Sequence, residues 1–296
     1  MTGIQVRDLV KDYRVRSGLH RSTLRAVDRV SFDLQPGRTV ALVGESGSGK
    51  STIAKTLMRL ERPTSGSIEL HADDGSTIPD AAYRRHVQMV FQDPFASLNP
   101  FHTIEHHIAR PLRIHGRTSG AAETRERVQQ LLERVSLTPA EEVAQRRPHE
   151  LSGGQRQRVA IARALAPGAQ VLVADEPVSM LDVSIRLGVL NLLARLQRED
   201  SLAVLYITHD LATARHFSDQ ILVLYRGRVV ERGPADDVIL NPQHEYTQLL
   251  AEAAPDPERL HSGGALRFTE RPRIDNTRCF DHGTGQWTEA HPAPVH

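Results

Sequence analysis

GESGSGKST, residues Gly44 to Thr52, follows directly on TVALV, Thr39 to Val43. The string fits the phosphate-loop pattern G-x-x-x-x-G-K-[ST], with Gly44, Gly49, Lys50 and Ser51 at the fixed positions. Between them lie Glu45, Ser46, Gly47 and Ser48, and Thr52 closes the string. Glycines let successive backbone N–H groups turn toward one anion, and the helix that follows aims its positive dipole end at the same point. Lys50 is then expected at the β- and γ-phosphates of a nucleoside triphosphate, and Ser51 at its Mg²⁺. The flanks agree, since TVALV reads as a buried strand while Ile53, Leu57 and Leu60 fall on one helical face. Chance alone produces such a pattern in on the order of one chain in a hundred of this length. Its meaning therefore depends on what accompanies it.

Composition sets the frame. The chain has 296 residues, 39% of them apolar, with a formal net charge of +1, as an ordinary soluble globular protein of one large or two small domains would have. That balance supplies no electrostatic argument for nucleic acid. Basic residues are almost all arginine, and lysine occurs only at Lys11, Lys50 and Lys55. The start, MTGIQVRDL, has no long apolar core and is not expected to be a secretory signal. Apolar runs such as LAVLYI, Leu202 to Ile207, are too short to cross a bilayer, so membrane contact is expected only through partners. Cys279 is the single cysteine, which excludes an internal disulfide and suits a reducing cytoplasm.

Periodicity divides the rest. From Ile4 to about Leu34 short alternating segments, Val30, Phe32 and Leu34 among them, predict half-exposed antiparallel strands. SGSIEL after Pro63 and VQMVF, Val87 to Phe91, read as further strands. Within Ala121 to Leu137 the set Val128, Leu131, Leu132 and Val135 has helical spacing. Strand and helix then alternate again through VLVAD (Val171 to Asp175), Ile185 to Leu196 and LAVLYIT (Leu202 to Thr208), which predicts a parallel sheet covered on both faces. ILVLY and RVVE, split by Arg226 and Gly227, predict a terminal hairpin. Beyond Ala254 the chain is rich in Pro, Gly and His and reads as a loosely packed tail.

Four further segments carry chemistry. LSGGQ, Leu151 to Gln155, is a second glycine-rich anion site, with Ser152 placed to cap a helix through Val159, Ile161 and Leu165 and with Gly153 and Gly154 in its first turn. VLVADEP ends a strand in Asp175 and Glu176. An acid at the carboxyl end of a parallel strand beside a phosphate loop can hold Mg²⁺, and the next acid can orient or deprotonate an attacking water. By the same logic His209, after LAVLYIT, can reach a γ-phosphate, and Gln92, after VQMVF, can contact the metal or the water.

With these motifs in order, residues 1 to about 250 resemble the nucleotide-binding subunit of an ABC transporter. The resemblance implies an α/β fold: a P-loop NTPase (RecA-like) core with an antiparallel β subdomain and an inserted α-helical subdomain at about 95–165, followed by the tail at 251–296. It implies ATP and Mg²⁺ as cofactors, adenine stacking by Tyr13, and an LSGGQ that closes on ATP held by an opposing subunit in a head-to-tail dimer. SMLD, Ser179 to Asp182, would act across that interface, and Gln92 would pass the nucleotide state to a transmembrane partner. A narrower resemblance, to the peptide and nickel importer subfamily, rests on FQDPFASLNP (Phe91 to Pro100), RRPHELSGGQRQR and NPQHEYTQLL (Asn241 to Leu250). FQDPFASLNP looks like the version of that subfamily's second, shorter ATPase. The implied partners are a second, different ATP-binding chain, two transmembrane permease subunits and, through the complex, an extracytoplasmic solute-binding protein, at the cytoplasmic face of the membrane. Met180 departs from the common alanine, and the tail lacks the subfamily's cysteine cluster, so an iron–sulfur centre on Cys279 alone does not fit.

A soluble ABC ATPase of translation or DNA repair is the alternative reading. Tandem ATPase domains, coiled-coil insertions or zinc modules would mark it, and these residues spell none. A non-catalytic relative should lack Lys50 or Glu176. HTIEH, His102 to His106, fits the H-x-x-E-H zinc pattern but has no assignable third ligand and reads as a solvated face, as do His282, His291 and His296 in the tail.

Overall fold

The computed structural model describes residues 2–17, 20–72, 74–253 and 274–290. The chain opens with two long strands, β1 (Gly3–Ser17) and β2 (His20–Leu34), and then turns inward into β3 (Thr39–Val43), whose five residues are all buried. The phosphate loop leads into α1 (Lys50–Leu57), followed by β4 (Ser65–His71), α2 (Asp80–His86) and β5 (Val87–Val90). A run of helices comes next: α3 (Pro94–Ser97), α4 (Ile104–Ile114), α5 (Ala121–Arg134), α6 (Ala140–Gln145) and α7 (Gly153–Leu165). Alternation resumes with β6 (Val171–Asp175), α8 (Val183–Asp200), β7 (Ala203–Thr208) and α9 (Leu211–Phe217). The chain then runs through β8 (Gln220–Tyr225), β9 (Arg228–Pro234), α10 (Ala235–Leu240), α11 (Glu245–Ala253), β10 (Arg278–Asp281) and β11 (Gln286–Glu289).

Among the described residues the strands form two sheets, one in the order β2-β1-β4 and one in the order β11-β10-β9-β8-β3-β7-β6-β5. The first is antiparallel throughout. In the second, β5, β6, β7, β3 and β8 run parallel, so the carboxyl ends of β3, β6 and β7 meet at one edge of the sheet. Strand period 2 splits the core between the two faces. Val40, Leu42, Val171, Val173, Leu205 and Ile207 face a cluster shared with β1, β2 and α1. Ala41, Val43, Leu172, Ala174, Val204 and Tyr206 join the opposite cluster, which runs into the helical insert through Leu112, Leu131 and Leu132. Burial on both faces is why these strands read as unbroken apolar runs. No helix among the described residues is long and apolar enough to cross a membrane.

Three expectations are corrected. Leu60 lies beyond the end of α1 and is 64% exposed, because the helix stops at Leu57 and Arg59 adopts a positive φ of 53°. The segment read as loosely packed tail contains order: β10 pairs in parallel with β9, and β11 closes a hairpin on β10. Composition hid this hairpin because its strands are only four residues long and take their stability from the free edge of β9 and from Phe280 against Trp287, with ring centroids 5.2 Å apart. Cys279 is buried there, and burial pushes its thiol up to about 11. His282 is not on a solvated face, since its side chain is nearly buried with Nε2 2.7 Å from Glu231 Oε1, while His291 and His296 lie outside the described residues. The Arg226 and Gly227 turn forms as expected, with φ of 47° and 83° between β8 and β9.

Candidate nucleotide site

The phosphate loop depends on glycine at two points where other residues would fail. Gly47 has φ 81° and Gly49 has φ 112°. A Cβ on Gly49 would land on the carbonyl oxygen of Ala26, so space as well as backbone conformation excludes one. Gly49→Ala should therefore lower folding stability by about 2–4 kcal/mol in urea unfolding, through two mechanisms at once. An unchanged midpoint would mean that the loop relaxes without cost.

Lys50, the first residue of α1, is buried. Its Nζ donates to the carbonyl oxygens of Gly44 (2.6 Å) and Glu45 (2.8 Å). Burial lowers its pKa from the ordinary lysine value, against the attraction of Glu176, Asp175 and Glu45. Asp175 ends β6 with its carboxyl held above the usual range by burial and by the neighbouring Glu176 charge, while the Ser51 hydroxyl and Lys50 pull the other way. A half-buried carboxylate beside a hydroxyl is the hard-oxygen donor set that suits Mg²⁺. Because the folded state binds the Asp175 proton more tightly than the unfolded chain, this residue opposes folding increasingly as pH rises through its folded pKa. Asp175→Asn should stabilise the nucleotide-free, metal-free chain by about 1 kcal/mol at neutral pH. The gain should shrink in mild acid, which urea titrations at the two pH values would measure.

Glu176 begins the turn after β6 with φ 44°, and its N–H donates to Ile207 O at the end of β7. That link between strands aims its side chain at two groups from other strands. Gln92 Nε2 donates to Glu176 Oε2 at 3.0 Å, and His209 Nδ1 lies 3.2 Å from Glu176 Oε1. The side chain of His209 is 61% exposed and that of Glu176 is 19% exposed, so the histidine forms the outer wall. The carboxylate is thus fixed by both neighbours while remaining open to solvent.

The structure brings Lys50, Ser51, Gln92, Asp175, Glu176 and His209 together, as their positions at strand ends predicted. Tyr13 on β1 is half-buried, hydrogen-bonded to Glu61, with Lys11 Nζ 5.1 Å from its ring centroid. Thr52 lies close enough to its hydroxyl to lower its pKa, against the larger raising effects of burial and Glu61, so Tyr13 flanks the loop. LSGGQ stands apart. Ser152 caps α7, accepting from Gln155 N at 3.3 Å, while Gln155 Oε1 accepts from Ser152 N at 2.9 Å. Gly153 and Gly154 pack under Leu181 and Ile185, where a Cβ on Gly154 would come within 2.6 Å of Ile185. Among the described residues no hydrogen bond or ion pair joins this segment to Lys50, Asp175, Glu176 or His209. Ser179 bonds back to Glu176 O at 3.0 Å, and Met180 is exposed.

Sequence reasoning missed a groove of about 690 Å³ beside Gln92, lined by Met58, Met89, Phe91, Ala96 and Arg163 and reaching Asp175. No local sequence signal marks it, since the exposure of Phe91 at the end of a strand-like run shows only in the fold. It also missed Tyr246, whose hydroxyl meets the phosphate loop, because NPQHEYTQLL, informative in sequence only through its resemblance, lies 201 positions from the loop. HTIEH forms no metal group among the described residues; Thr103 caps α4, so His102 precedes the helix and its ring stacks on His106 at 4.0 Å.

A family model described as ABC transporter matches residues 27–179. The glutathione import ATP-binding protein GsiA of Escherichia coli K12 is 49% identical over 277 residues, which are 91% of this chain and 44% of that protein. Its Salmonella typhimurium counterpart is 49% identical over 264 residues, 86% of this chain and 42% of that protein. The chain thus spans less than half the length of these curated relatives. Among solved structures, a dimeric ATP-binding cassette in a post-hydrolysis state with ADP and Pi matches with TM-score 0.66 and 32% identity over 78% of this chain and 98% of that one. The cbiO1 protein of Clostridium perfringens, part of the transporter complex cbiONQ, matches with TM-score 0.67 and 27% identity over 80% and 90%.

Proposed function

We infer, because this chain belongs to the ABC transporter family, that it binds and hydrolyses ATP to drive a membrane importer of small peptides or a related small solute such as nickel. The observation that carries the reading is Glu176 held between Gln92 and His209 beside the buried Lys50 and the half-buried Asp175. That arrangement can bind a triphosphate, place a water in line with its γ-phosphorus and take the proton the water sheds. The γ-phosphorus–bridging oxygen bond then breaks and the charge flows onto ADP. Lys50 opposes the negative charge that develops on the equatorial oxygens. With His209 Nδ1 on Glu176, its Nε2 is the nitrogen free for the γ-phosphate. Ser51 and Asp175 would hold Mg²⁺, with Gln92 at its edge, and the ion would neutralise charge on the β- and γ-phosphates when bound. Tyr13, flanking the loop, would stack on adenine. Gly44 to Thr52 would wrap the phosphates through their backbone N–H groups.

Ser152, Gly153, Gly154 and Gln155 make an anion-binding helix start outside their own chain's cluster. In this reading they complete the site of an opposing ATP-binding subunit, a second chain of different sequence. The groove beside Gln92 takes a segment of a transmembrane permease subunit, which places the chain peripherally at the cytoplasmic face of the membrane and couples nucleotide state to transport. A solute-binding protein on the far side would choose the cargo. The relatives are named for glutathione import, and glutathione is a small peptide within the proposed cargo class. Co-expression with candidate permease subunits tests the assignment: the chain should sediment with membranes only when they are present and release phosphate from ATP. A chain that stays in the supernatant with every such partner and binds nucleic acid would favour the soluble alternative.

A further inference from the structure

We propose that Tyr246 is a positioning residue for Lys50, and that residues 274–290 brace it, so that the carboxyl-terminal hairpin sets the geometry of the phosphate loop. The inference rests on the ATPase reading above.

Tyr246, the second residue of α11, is fully buried, with its ring 4.4 Å from that of Tyr225. Its hydroxyl accepts a hydrogen bond from the N–H of Glu45 at 2.9 Å. That N–H and the carbonyl of Gly44 belong to one planar peptide unit, which turns as a rigid plate. The carbonyl on the other side of the plate accepts from Lys50 Nζ at 2.6 Å. Tyr246 and Lys50 therefore grip opposite sides of the same plate. Rotating the plate to free its N–H would swing the oxygen away from the ammonium group. Gly44 has no Cβ to oppose such a rotation, so a partner outside the loop has to fix it.

Tyr246 is itself anchored. Its N–H donates to His244 Nδ1 at 3.1 Å, while His244 Nε2 meets the carbonyl of Asp275 at 2.7 Å. A carbonyl can only accept, so the His244 proton sits on Nε2 and leaves Nδ1 free to receive Tyr246; one neutral tautomer makes both bonds. The backbone N–H groups of Gln243 and His244 donate to the two oxygens of Glu231, at 2.8 and 3.0 Å. Glu231 is completely buried on β9, and its third donor is His282 Nε2 at 2.7 Å, from the turn after β10. A buried carboxylate that loses one of these donors is left short of a hydrogen bond where water does not replace it, so the three hold together as a unit. The connection runs without a break from His282 through Glu231, His244 and Tyr246 to the Gly44–Glu45 peptide.

A purely structural tyrosine would matter for folding alone, and the test separates the two roles. In the full chain, Tyr246→Phe keeps the ring and removes only the acceptor. MgATP binding by calorimetry should weaken about tenfold, with the KM of hydrolysis rising in step and kcat within about twofold of wild type. His282→Ala should weaken MgATP binding in the same direction, and His282→Gln, which keeps an N–H donor for Glu231, should restore it. A Tyr246→Phe chain whose urea midpoint falls while its Kd and KM for MgATP stay within about twofold of wild type would overturn the proposal. Wild-type chain that binds no MgATP would instead overturn the ATPase reading, so the two failures are distinct.

Discussion

Glu176→Gln is expected to bind MgATP with near wild-type affinity and to hydrolyse it on the order of 10²–10⁴-fold more slowly. The substitution keeps the side chain's length and shape but removes the only group in the cluster placed to accept a proton from water. Asp175 does not replace it, because it is engaged with Ser51 and Lys50 and its carboxyl is already held above the usual range. His209 does not replace it either, since its Nδ1 is engaged with Glu176 and the glutamine amide would offer no second carboxylate oxygen to re-orient it. Binding survives because phosphate contacts come from the loop and Lys50, which the change does not touch. If two chains close on two ATP molecules and reopen on hydrolysis, the variant should accumulate as a closed pair in the presence of MgATP. Single-turnover phosphate release and size-exclusion chromatography would show both effects. A single-turnover rate within about tenfold of wild type would remove Glu176 from the catalytic role.

Much of this cluster is legible in the sequence for a topological reason. In a parallel sheet every strand delivers its next residue to the same edge, so Gly44, Asp175 and His209 converge whatever the details of the helices between them. Apolar runs such as TVALV and VLVAD mark those strands because both faces are covered. Contacts made across that order are not legible. Tyr246 reaches Glu45 over 201 positions, and nothing in either segment's local pattern encodes the meeting. The hairpin at 278–289 escapes for a second reason: four-residue strands carry too little alternation to rise above a Pro- and Gly-rich background, and their pairing depends on an edge supplied by β9. Leu60 shows the limit of periodicity itself, since helical spacing continues past the residue where the backbone leaves the helix.

Lys50→Ala should separate folding from binding. The ammonium group is held at a cost: burial lowers its pKa despite three nearby carboxylates, so at neutral pH the folded state pays for a charge that the unfolded chain keeps in water. Removing it relieves that cost. The same change deletes packed methylenes and leaves Asp175 and Glu176 facing each other with less compensation, which raises the Asp175 pKa further. These effects oppose, and the nucleotide-free chain should unfold within about 1 kcal/mol of wild type. Nothing opposes the loss in binding. Lys50 is the buried cation at the loop and donates from 2.6 and 2.8 Å to carbonyls that fix its position. Charge-assisted bonds from the ammonium group to phosphate oxygens contribute about 1.5–3 kcal/mol each, so MgATP affinity should fall on the order of 100-fold and hydrolysis should disappear. Calorimetry and urea unfolding on the same sample read the two quantities independently. Unchanged MgATP affinity would place the triphosphate elsewhere. A large loss of stability with proportionate loss of binding would make Lys50 a structural cation, its two carbonyl bonds holding the loop closed rather than presenting an ammonium group to phosphate.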